Sequence, residues 1–361
     1  MTQPAKSNYF NALTGFRFLA ASLVFVYHNR KYWRHNIHPE LLRLINEFHV
    51  GVALFFVLSG FLIAYSYADK PLDDIKSYCR YFLIRIIRIM PVYWIILTAF
   101  YLDAHYGKGA FSWQTYSLVH AFSGKTNLQG IAQAWSLNVE MSFYLIAPFL
   151  YGLLRKNTAW LLSALLLLFI LTLGVGYGWQ AINGNPTHYF YPTEFVVNST
   201  FAGRSFQFFA GMMLAYWLKT GQAKVIDRLK HKTLYGFTGI VALTYLIGCL
   251  QKNIYVSGTE NAGGMILHNI ILPVAIVIAI AGLMTEESWL KRFFSSRLLV
   301  LLGNASFTFY LIHISYINLR ISKLIMMPDR NFTLLWVVSI LIYLLIEKPV
   351  YDRLRTLINR F

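Results

Sequence analysis

The stretch FRFLAASLVFVYH, residues 16–28, decides the fold of this protein. It is almost wholly apolar, yet Arg17 lies near its start and His28 at its end. An ionisable group inside a bilayer costs about 2.5 kcal/mol or more, so it marks a functional site. At about 100° per residue, the spacing puts both side chains on one helix face, about 16 Å apart along the axis. The stretch therefore predicts a membrane helix with a polar path along one face.

The composition of the whole chain is that of a membrane protein. Of 361 residues, 57% are hydrophobic, 17% aromatic and only 13% charged, with a mean hydropathy of +0.49. Soluble domains carry about 25% charged residues. We expect an all-α polytopic membrane protein, a single transmembrane domain over residues 1–361. Apolar segments of spanning length recur throughout, and we predict about ten membrane helices, near residues 11–28, 50–67, 83–102, 139–154, 159–177, 204–218, 233–250, 266–284, 298–317 and 332–347.

The net charge of +17 follows membrane topology rather than a nucleic-acid surface. With a cytoplasmic N-terminus, twenty Lys and Arg residues fall in cytoplasmic segments and eleven on the opposite side, with Arg17 inside the first helix. The positive-inside rule then favours both termini in the cytoplasm, although the basic loop with Arg30 and Arg34 weakens the bias. We expect no nucleic-acid partner and no cleavable signal peptide, because the first segment carries ionisable residues and no cleavage site.

Several polar residues are predicted at or below the cytoplasmic membrane boundary. Arg85 and Arg88, one turn apart, can hold phosphate groups, although positive-inside anchoring explains such pairs about as well. Glu347 is expected to end the last helix, where a salt bridge is the ordinary role for it. The pair Ser59-Gly60 lies deeper in the second helix and is typical of close helix packing.

A second set of polar residues is predicted toward the outer face. Glu140 lies just inside the fourth helix, one turn from Tyr144. Ser306, Tyr310 and His313 share a face of the predicted ninth helix. A single buried histidine is usually a packing residue. Two histidines and a glutamate at one depth, with cationic groups below them, favour a functional site.

The order of these motifs resembles the acyltransferase-3 family of membrane O-acyltransferases, which modify bacterial surface polysaccharides. The resemblance covers essentially the whole chain, in the stand-alone form without the C-terminal hydrolase-like domain of many relatives. The motifs that carry it are the spacing from Arg17 to His28, FFVLSGF at residues 55–61, the pair at residues 85 and 88, WSLNVE at residues 135–140, SFTFYLIH at residues 306–313 and EKP at residues 347–349.

The resemblance implies transfer of an acyl group, most often acetyl, from acyl-CoA to a sugar hydroxyl. Acetyl-CoA is then a co-substrate, and no bound cofactor or metal is expected. The implied acyl-CoA-binding residues are Arg85, Arg88, Ser59 and Glu347. The implied acceptor is a carbohydrate such as O-antigen of lipopolysaccharide or an exopolysaccharide, modified at the outer side of the bacterial cytoplasmic (inner) membrane.

The implied catalytic residues centre on His28, which acts as general base or accepts the acyl group itself; the sequence leaves both open. The thioester would pass Arg17, Glu140 would orient His28, and His313 or Tyr310 would donate to the oxyanion. The alternative is a proton-coupled transporter or a glycan-export component that uses Arg17, His28 and Glu140 as a polar path. Against it, the chain shows no internal repeat or paired interrupted helices.

Overall fold

The regular structure of the protein, seen in a computed structural model, is helical and forms two compact units. The structure describes residues 8–32, 37–67, 74–103, 111–184, 186–223, 226, 228–253, 256–325 and 328–360. One unit combines Met1–Ala68 with Phe206–Phe307, and the other combines Asp69–Ser205 with Thr308–Phe361. The prediction of one domain over residues 1–361 stays a prediction. Some basic residues of the charge count lie outside the described residues, namely Lys6, Arg34, Lys70, Lys108 and Lys224.

The helices follow one another in chain order as α1 (Asn8–Asn29), α2 (Pro39–Ile45), α3 (Gly51–Tyr67), α4 (Ile75–Leu102), α5 (Trp113–Tyr116), α6 (Trp135–Lys156), α7 (Thr158–Asn183), α8 (Thr193–Ser199), α9 (Phe201–Thr220), α10 (Lys232–Cys249), α11 (Ala262–Ile266), α12 (Leu272–Thr285), α13 (Trp289–Phe294), α14 (Arg297–Asn304), α15 (Ser306–Ile312), α16 (Tyr316–Ile325), α17 (Pro328–Ile342) and α18 (Lys348–Ile358). A π turn over Leu267–Ile271 joins α11 to α12, and another over Tyr343–Glu347 joins α17 to α18.

Within the described residues, eight helical segments are long and apolar enough to cross a membrane. They match eight of the ten predicted spans, which confirms the all-α polytopic fold. The predicted span 204–218 is α9, which is less apolar because it contains Arg204, Gln207 and Lys219. The predicted span 298–317 is wrong in extent, since the chain there forms α14, α15 and the start of α16.

The end of α15 shows why that predicted span is interrupted. Ser315 Oγ donates to the Ile312 carbonyl oxygen at 2.8 Å, and Asn318 Nδ2 donates to the His313 carbonyl oxygen at 2.5 Å. Ser and Asn side chains that bond the backbone in this way compete with helix continuation. His313 therefore lies one residue past the helix end and not within a long helix.

The last predicted helix continues beyond its expected end. Glu347 lies in the π turn, and α18 carries the chain on to Ile358. A proline inside a helix lacks an N–H and clashes with the preceding turn. The wider π turn lies directly before Lys348-Pro349, so the helix continues through the EKP motif instead of stopping there.

Glycines allow close helix packing in the unit that contains α3 and α9 from Phe206 onward. A Cβ on Gly60 would stand 2.1 Å from the Phe208 carbonyl oxygen, and one on Gly211 would stand 2.0 Å from the Val57 carbonyl oxygen. The two helices therefore meet backbone to backbone, as small residues permit in membranes. This confirms the packing role expected for the Ser59-Gly60 pair.

The N-terminus of α10 is capped by a distant carboxylate. Glu286 accepts from the backbone N–H of Lys232 at 2.6 Å, and from the N–H and hydroxyl of Thr233 at 2.9 and 2.7 Å. Burial by itself raises the pKa of Glu286, but these donors and the nearby Lys232 ammonium hold that pKa below its usual range. The carboxylate also lies where the helix dipole favours negative charge.

Candidate active site

Helix α1 carries the two residues that opened the sequence analysis. It runs without interruption from Asn8 to Asn29, so Arg17 and His28 share one face, about 16 Å apart. Both side chains are half-buried. The Arg17 Cζ lies 6.0 Å from the centre of the Phe55 ring on α3, and Ser59 follows Phe55 by one turn. Three predicted site residues thus belong to the same unit.

The C-terminal end of α1 is fixed by its neighbours. The Tyr27 ring lies 4.9 Å from the His28 ring and 5.2 Å from the His49 ring, between centroids. The Arg30 guanidinium lies 4.1 Å from the Tyr27 ring centre and donates to the Tyr27 carbonyl oxygen at 2.6 Å. That bond satisfies one of the carbonyls that a helix end leaves open. The His28 imidazole therefore stands on a constrained last turn.

Glu47 is a buried carboxylate that sequence analysis missed. Its Oε1 accepts from the Gly258 N–H at 2.7 Å and from Gln251 Nε2 at 2.6 Å, and its Oε2 accepts from Ser257 Oγ at 2.7 Å. The His49 Nδ1 lies 3.6 Å from Oε2. A buried carboxylate needs such donors to offset its desolvation. The available signal was an acid and a histidine two residues apart, directly before the apolar run of α3.

The π turn over Leu267–Ile271 contributes another histidine, His268, to this unit. The His268 ring stacks on the His49 ring with centroids 5.2 Å apart and planes within 12°. Its Nδ1 lies 3.0 Å from Asn269 Oδ1, and Gln207 Nε2 donates to the same oxygen at 3.0 Å. π turns are rare and often mark functional sites. Across the described part of the chain, no group of three His, Cys, Asp or Glu residues is placed to hold a metal ion.

The other unit gathers Arg85, Arg88 and Glu140 around one tyrosine. Tyr144 donates to Glu140 Oε1, and the Arg85 Cζ lies 5.9 Å from the Tyr144 ring centre. Both arginines act electrostatically on the Tyr144 hydroxyl. All three charged side chains are half-buried.

This grouping contradicts the expected separation by depth. Helix α4 begins at Ile75, so Arg85 lies ten residues, or about 15 Å, along the helix and not at its start. The Tyr81 hydroxyl donates to the Tyr144 carbonyl oxygen at 3.0 Å, which fixes the level of α4 against α6. The arginines therefore lie beside Glu140 and not across the bilayer from it.

Tyr310 and His313 are tied to the start of α6. The Tyr310 hydroxyl lies 2.8 Å from Ser136 Oγ, which also donates to the Gln133 carbonyl oxygen at 2.9 Å. Gln133 Nε2 donates to the carbonyl oxygens of Tyr310 and Leu311 at 3.0 and 2.5 Å. His313 Nδ1 lies 2.7 Å from the Tyr310 carbonyl oxygen and is fully buried. Gln133 and Ser136 thus hold the backbone and the hydroxyl group of Tyr310; sequence analysis did not name Gln133 and quoted Ser136 only within the WSLNVE motif.

Glu347 and Arg204 are further polar residues of this unit. Thr308 Oγ1 donates to Glu347 Oε2 at 2.6 Å. Arg204 is 4% exposed; its Nε donates to the Asn198 carbonyl oxygen at 2.7 Å, and its Cζ lies 5.9 Å from the Trp135 ring centre. The roles predicted for Glu347, Arg85, Arg88 and Ser59 in acyl-CoA binding stay predictions.

This polytopic helical protein buries histidines, carboxylates and arginines among its helices, as integral-membrane enzymes do. Comparison with known proteins identifies which kind of enzyme it is. The sequence profile of the acyltransferase-3 family, described as an acyltransferase domain, matches residues 10–346. The chain belongs to this family. It is, by that membership and by the names of its relatives, a multi-pass membrane O-acyltransferase.

Three relatives illustrate the likeness. The acyltransferase MdmB of Streptomyces mycarofaciens is 26% identical over 331 residues, 85% of this chain and 79% of MdmB. YrhL of Bacillus subtilis (strain 168), named as a candidate peptidoglycan O-acetyltransferase, is 27% identical over 339 residues, 84% of this chain and 48% of YrhL. A candidate O-acetyltransferase of Staphylococcus aureus (strain COL) is 22% identical over 395 residues, 96% of this chain and 58% of the relative. The chain thus spans about half the length of these last two. No solved structure matches it.

Proposed function

We propose that the protein transfers an acyl group, most often acetyl, from cytoplasmic acyl-CoA to a hydroxyl group of a surface polysaccharide or its lipid-linked precursor. The observation that carries this proposal is the shared face of Arg17 and His28 on one uninterrupted helix of an acyltransferase. The relatives named for O-acetylation, one of them for peptidoglycan, support acetyl as the group and a glycan as the acceptor class.

His28 is the proposed general base. Its neutral imidazole takes the proton of the acceptor hydroxyl while the oxygen attacks the thioester carbonyl. Collapse of the tetrahedral intermediate breaks the carbon–sulfur bond, and the imidazolium returns the proton to the CoA thiolate. In the other form of the mechanism, an imidazole nitrogen attacks the thioester carbonyl and displaces the CoA thiolate, which takes up the ring proton. The acceptor hydroxyl then attacks the acyl-imidazole, and its proton passes to the imidazole that leaves.

Tyr310 is the proposed oxyanion donor in preference to His313. A carbonyl oxygen can only accept, so His313 Nδ1 carries the hydrogen of its bond to the Tyr310 carbonyl. A neutral His313 then has no second N–H to offer. Ser136 donates its one hydrogen to the Gln133 carbonyl, so the Tyr310 hydroxyl donates to Ser136 Oγ and must turn its single hydrogen to the oxyanion when the intermediate forms.

Arg85 and Arg88 are the proposed contacts for the phosphates of CoA. Guanidinium groups bind phosphates through bidentate, charge-assisted hydrogen bonds. Because Arg85 lies about 15 Å along α4, a phosphate bound there would be drawn well inside the helical domain. The excess of Lys and Arg on one side supports entry of the donor from the cytoplasm and modification of the acceptor at the outer side of the inner membrane.

Release of free CoA by purified protein, acetyl-CoA and a glycan acceptor tests the proposal. Wild-type protein should release CoA over many turnovers only when acceptor is present. His28→Ala and His28→Gln should not release it, because neither replacement side chain can take a proton. His120→Gln is the matched control, since His120 is also buried but lies in the loop before α6. Full transfer by well-folded His28→Ala protein would overturn the role of His28. An acetyl group found on His28 without acceptor would select the acyl-carrier form.

A further inference from the structure

We infer that His49 and His268 are positioning residues for His28, held in one orientation by Glu47 on one side and by Asn269 on the other. The inference rests on the proposed role of His28. None of these four residues was singled out by the sequence, and all four belong to the same compact unit as His28.

The tautomer of His268 follows from its hydrogen bonds. Gln207 Nε2 donates to the His268 carbonyl oxygen at 3.4 Å and to Asn269 Oδ1 at 3.0 Å. The carbonyl can only accept, so the Gln207 group at this point is the NH₂ group. The Asn269 atom that it meets must then be oxygen, and His268 Nδ1, 3.0 Å from that oxygen, must carry a hydrogen. In the neutral ring, Nε2 therefore holds the lone pair.

His49 is held between this ring and Glu47. The stacked rings of His49 and His268 fix the plane of His49, with centroids 5.2 Å apart. Glu47 Oε2 lies 3.6 Å from His49 Nδ1, beyond hydrogen-bond distance, and favours the ring rotation that turns Nδ1 toward the carboxylate. Glu47 is fully buried and is itself anchored by three donors from residues 251–258.

The row of rings ends at the last turn of α1. Tyr27 lies 5.2 Å from the His49 ring and directly precedes His28. A change in the position of His49 is therefore passed to the turn that carries the proposed base. A displacement of about 1 Å at a reacting group costs about 100-fold in rate. These residues thus act on the rate through His28, without touching the reacting atoms themselves.

Asn269→Leu tests the chain of contacts because it removes the oxygen that holds His268. It should lower kcat by about 100-fold and leave the KM for acetyl-CoA nearly unchanged. Asn269→Asp keeps an acceptor oxygen and should recover most of the rate. Asn331→Leu is the matched control: Asn331 is 5% exposed against 6% for Asn269, and its Nδ2 donates to Ser322 Oγ at 2.5 Å. It should cost stability without this loss of kcat.

Imidazole nitrogen NMR of ¹⁵N-histidine-labelled protein gives a readout independent of activity. His268 should show a protonated Nδ1 and an unprotonated Nε2 in the wild type, and a mixture of tautomers in Asn269→Leu. Should that variant not fold, His49→Phe keeps the stacked ring, loses the contact with Glu47 and should also lower kcat at unchanged KM.

Two results would overturn the inference while the proposed function stands. One is a wild-type His268 protonated on Nε2. The other is a wild-type kcat in folded Asn269→Leu or His49→Phe while His28→Ala is inactive. Absence of CoA release by the wild type would instead remove the proposed function, and the inference with it.

Discussion

Replacing Tyr310 by Phe removes a single hydroxyl group from a buried part of the protein. That hydroxyl lies 2.8 Å from Ser136 Oγ, and Tyr310 is 7% exposed. In the variant, Ser136 loses the Tyr310 hydroxyl as a partner but keeps its own bond to the Gln133 carbonyl oxygen, at 2.9 Å. Loss of one neutral hydrogen bond should therefore lower the free energy of unfolding by about 1 kcal/mol.

The expected loss of activity is much larger than this loss of stability. Removing one donor from an oxyanion site lowers kcat by about 100- to 1,000-fold. CoA release at saturating acetyl-CoA measures kcat, and thermal unfolding in detergent measures stability. Tyr310→Phe should be nearly as stable as the wild type and nearly inactive.

Tyr93→Phe provides the matched control for this substitution. Tyr93 is fully buried in the same unit, and its hydroxyl donates to the Thr115 carbonyl oxygen at 2.7 Å. The chemical change and the cost in stability are the same, but kcat should stay near the wild-type value. Equal kcat values for the two variants would refute the oxyanion role and leave Tyr310 as a packing residue.

Three further outcomes are expected. Arg85→Ala and Arg88→Ala should each raise the KM for acetyl-CoA by about 10- to 150-fold, or about 1.5–3 kcal/mol, and replacement by Lys should restore the KM only in part. The effect should vanish with acetyl-pantetheine, which lacks the phosphates of CoA. An unchanged KM for acetyl-CoA would make both arginines structural. Glu286→Gln should lower the free energy of unfolding by about 1 kcal/mol at pH 7. Because the folded-state pKa of Glu286 is lowered, its stabilisation is complete above the unfolded pKa of about 4.3 and is lost as the pH falls through the folded pKa. The stabilities of wild type and Glu286→Gln should therefore converge in acid, and a difference independent of pH would contradict the cap. In a cysteine-free protein in intact cells, after permeabilisation of any outer membrane, Leu128→Cys should react with an impermeant maleimide and Glu287→Cys should not. The reverse labelling pattern would overturn the proposed entry of the donor from the cytoplasm and modification of the acceptor at the outer side.

The fold class and much of the candidate site were predictable because their signals are local. A run of apolar residues needs no partner to indicate a membrane helix, and the spacing of Arg17 and His28 is a property of one helix. The predicted span 139–154 likewise lies within α6, which begins four residues earlier, at Trp135. The depth of Arg85 was predicted wrongly because polar residues at 74–80 conceal the true start of α4 at Ile75.

The sequence by itself determined that the chain is a polytopic membrane protein with a histidine and an arginine on one helix face. Only the tertiary structure brought Glu47 to Gly258, 211 residues away, and Gln133 to Tyr310, 177 residues away. Neither contact follows from periodicity, because a repeat of 3.6 residues states which face a side chain occupies and not which helix it meets. The packing of distant helices decided those partners, and with them the network that holds the histidines in place.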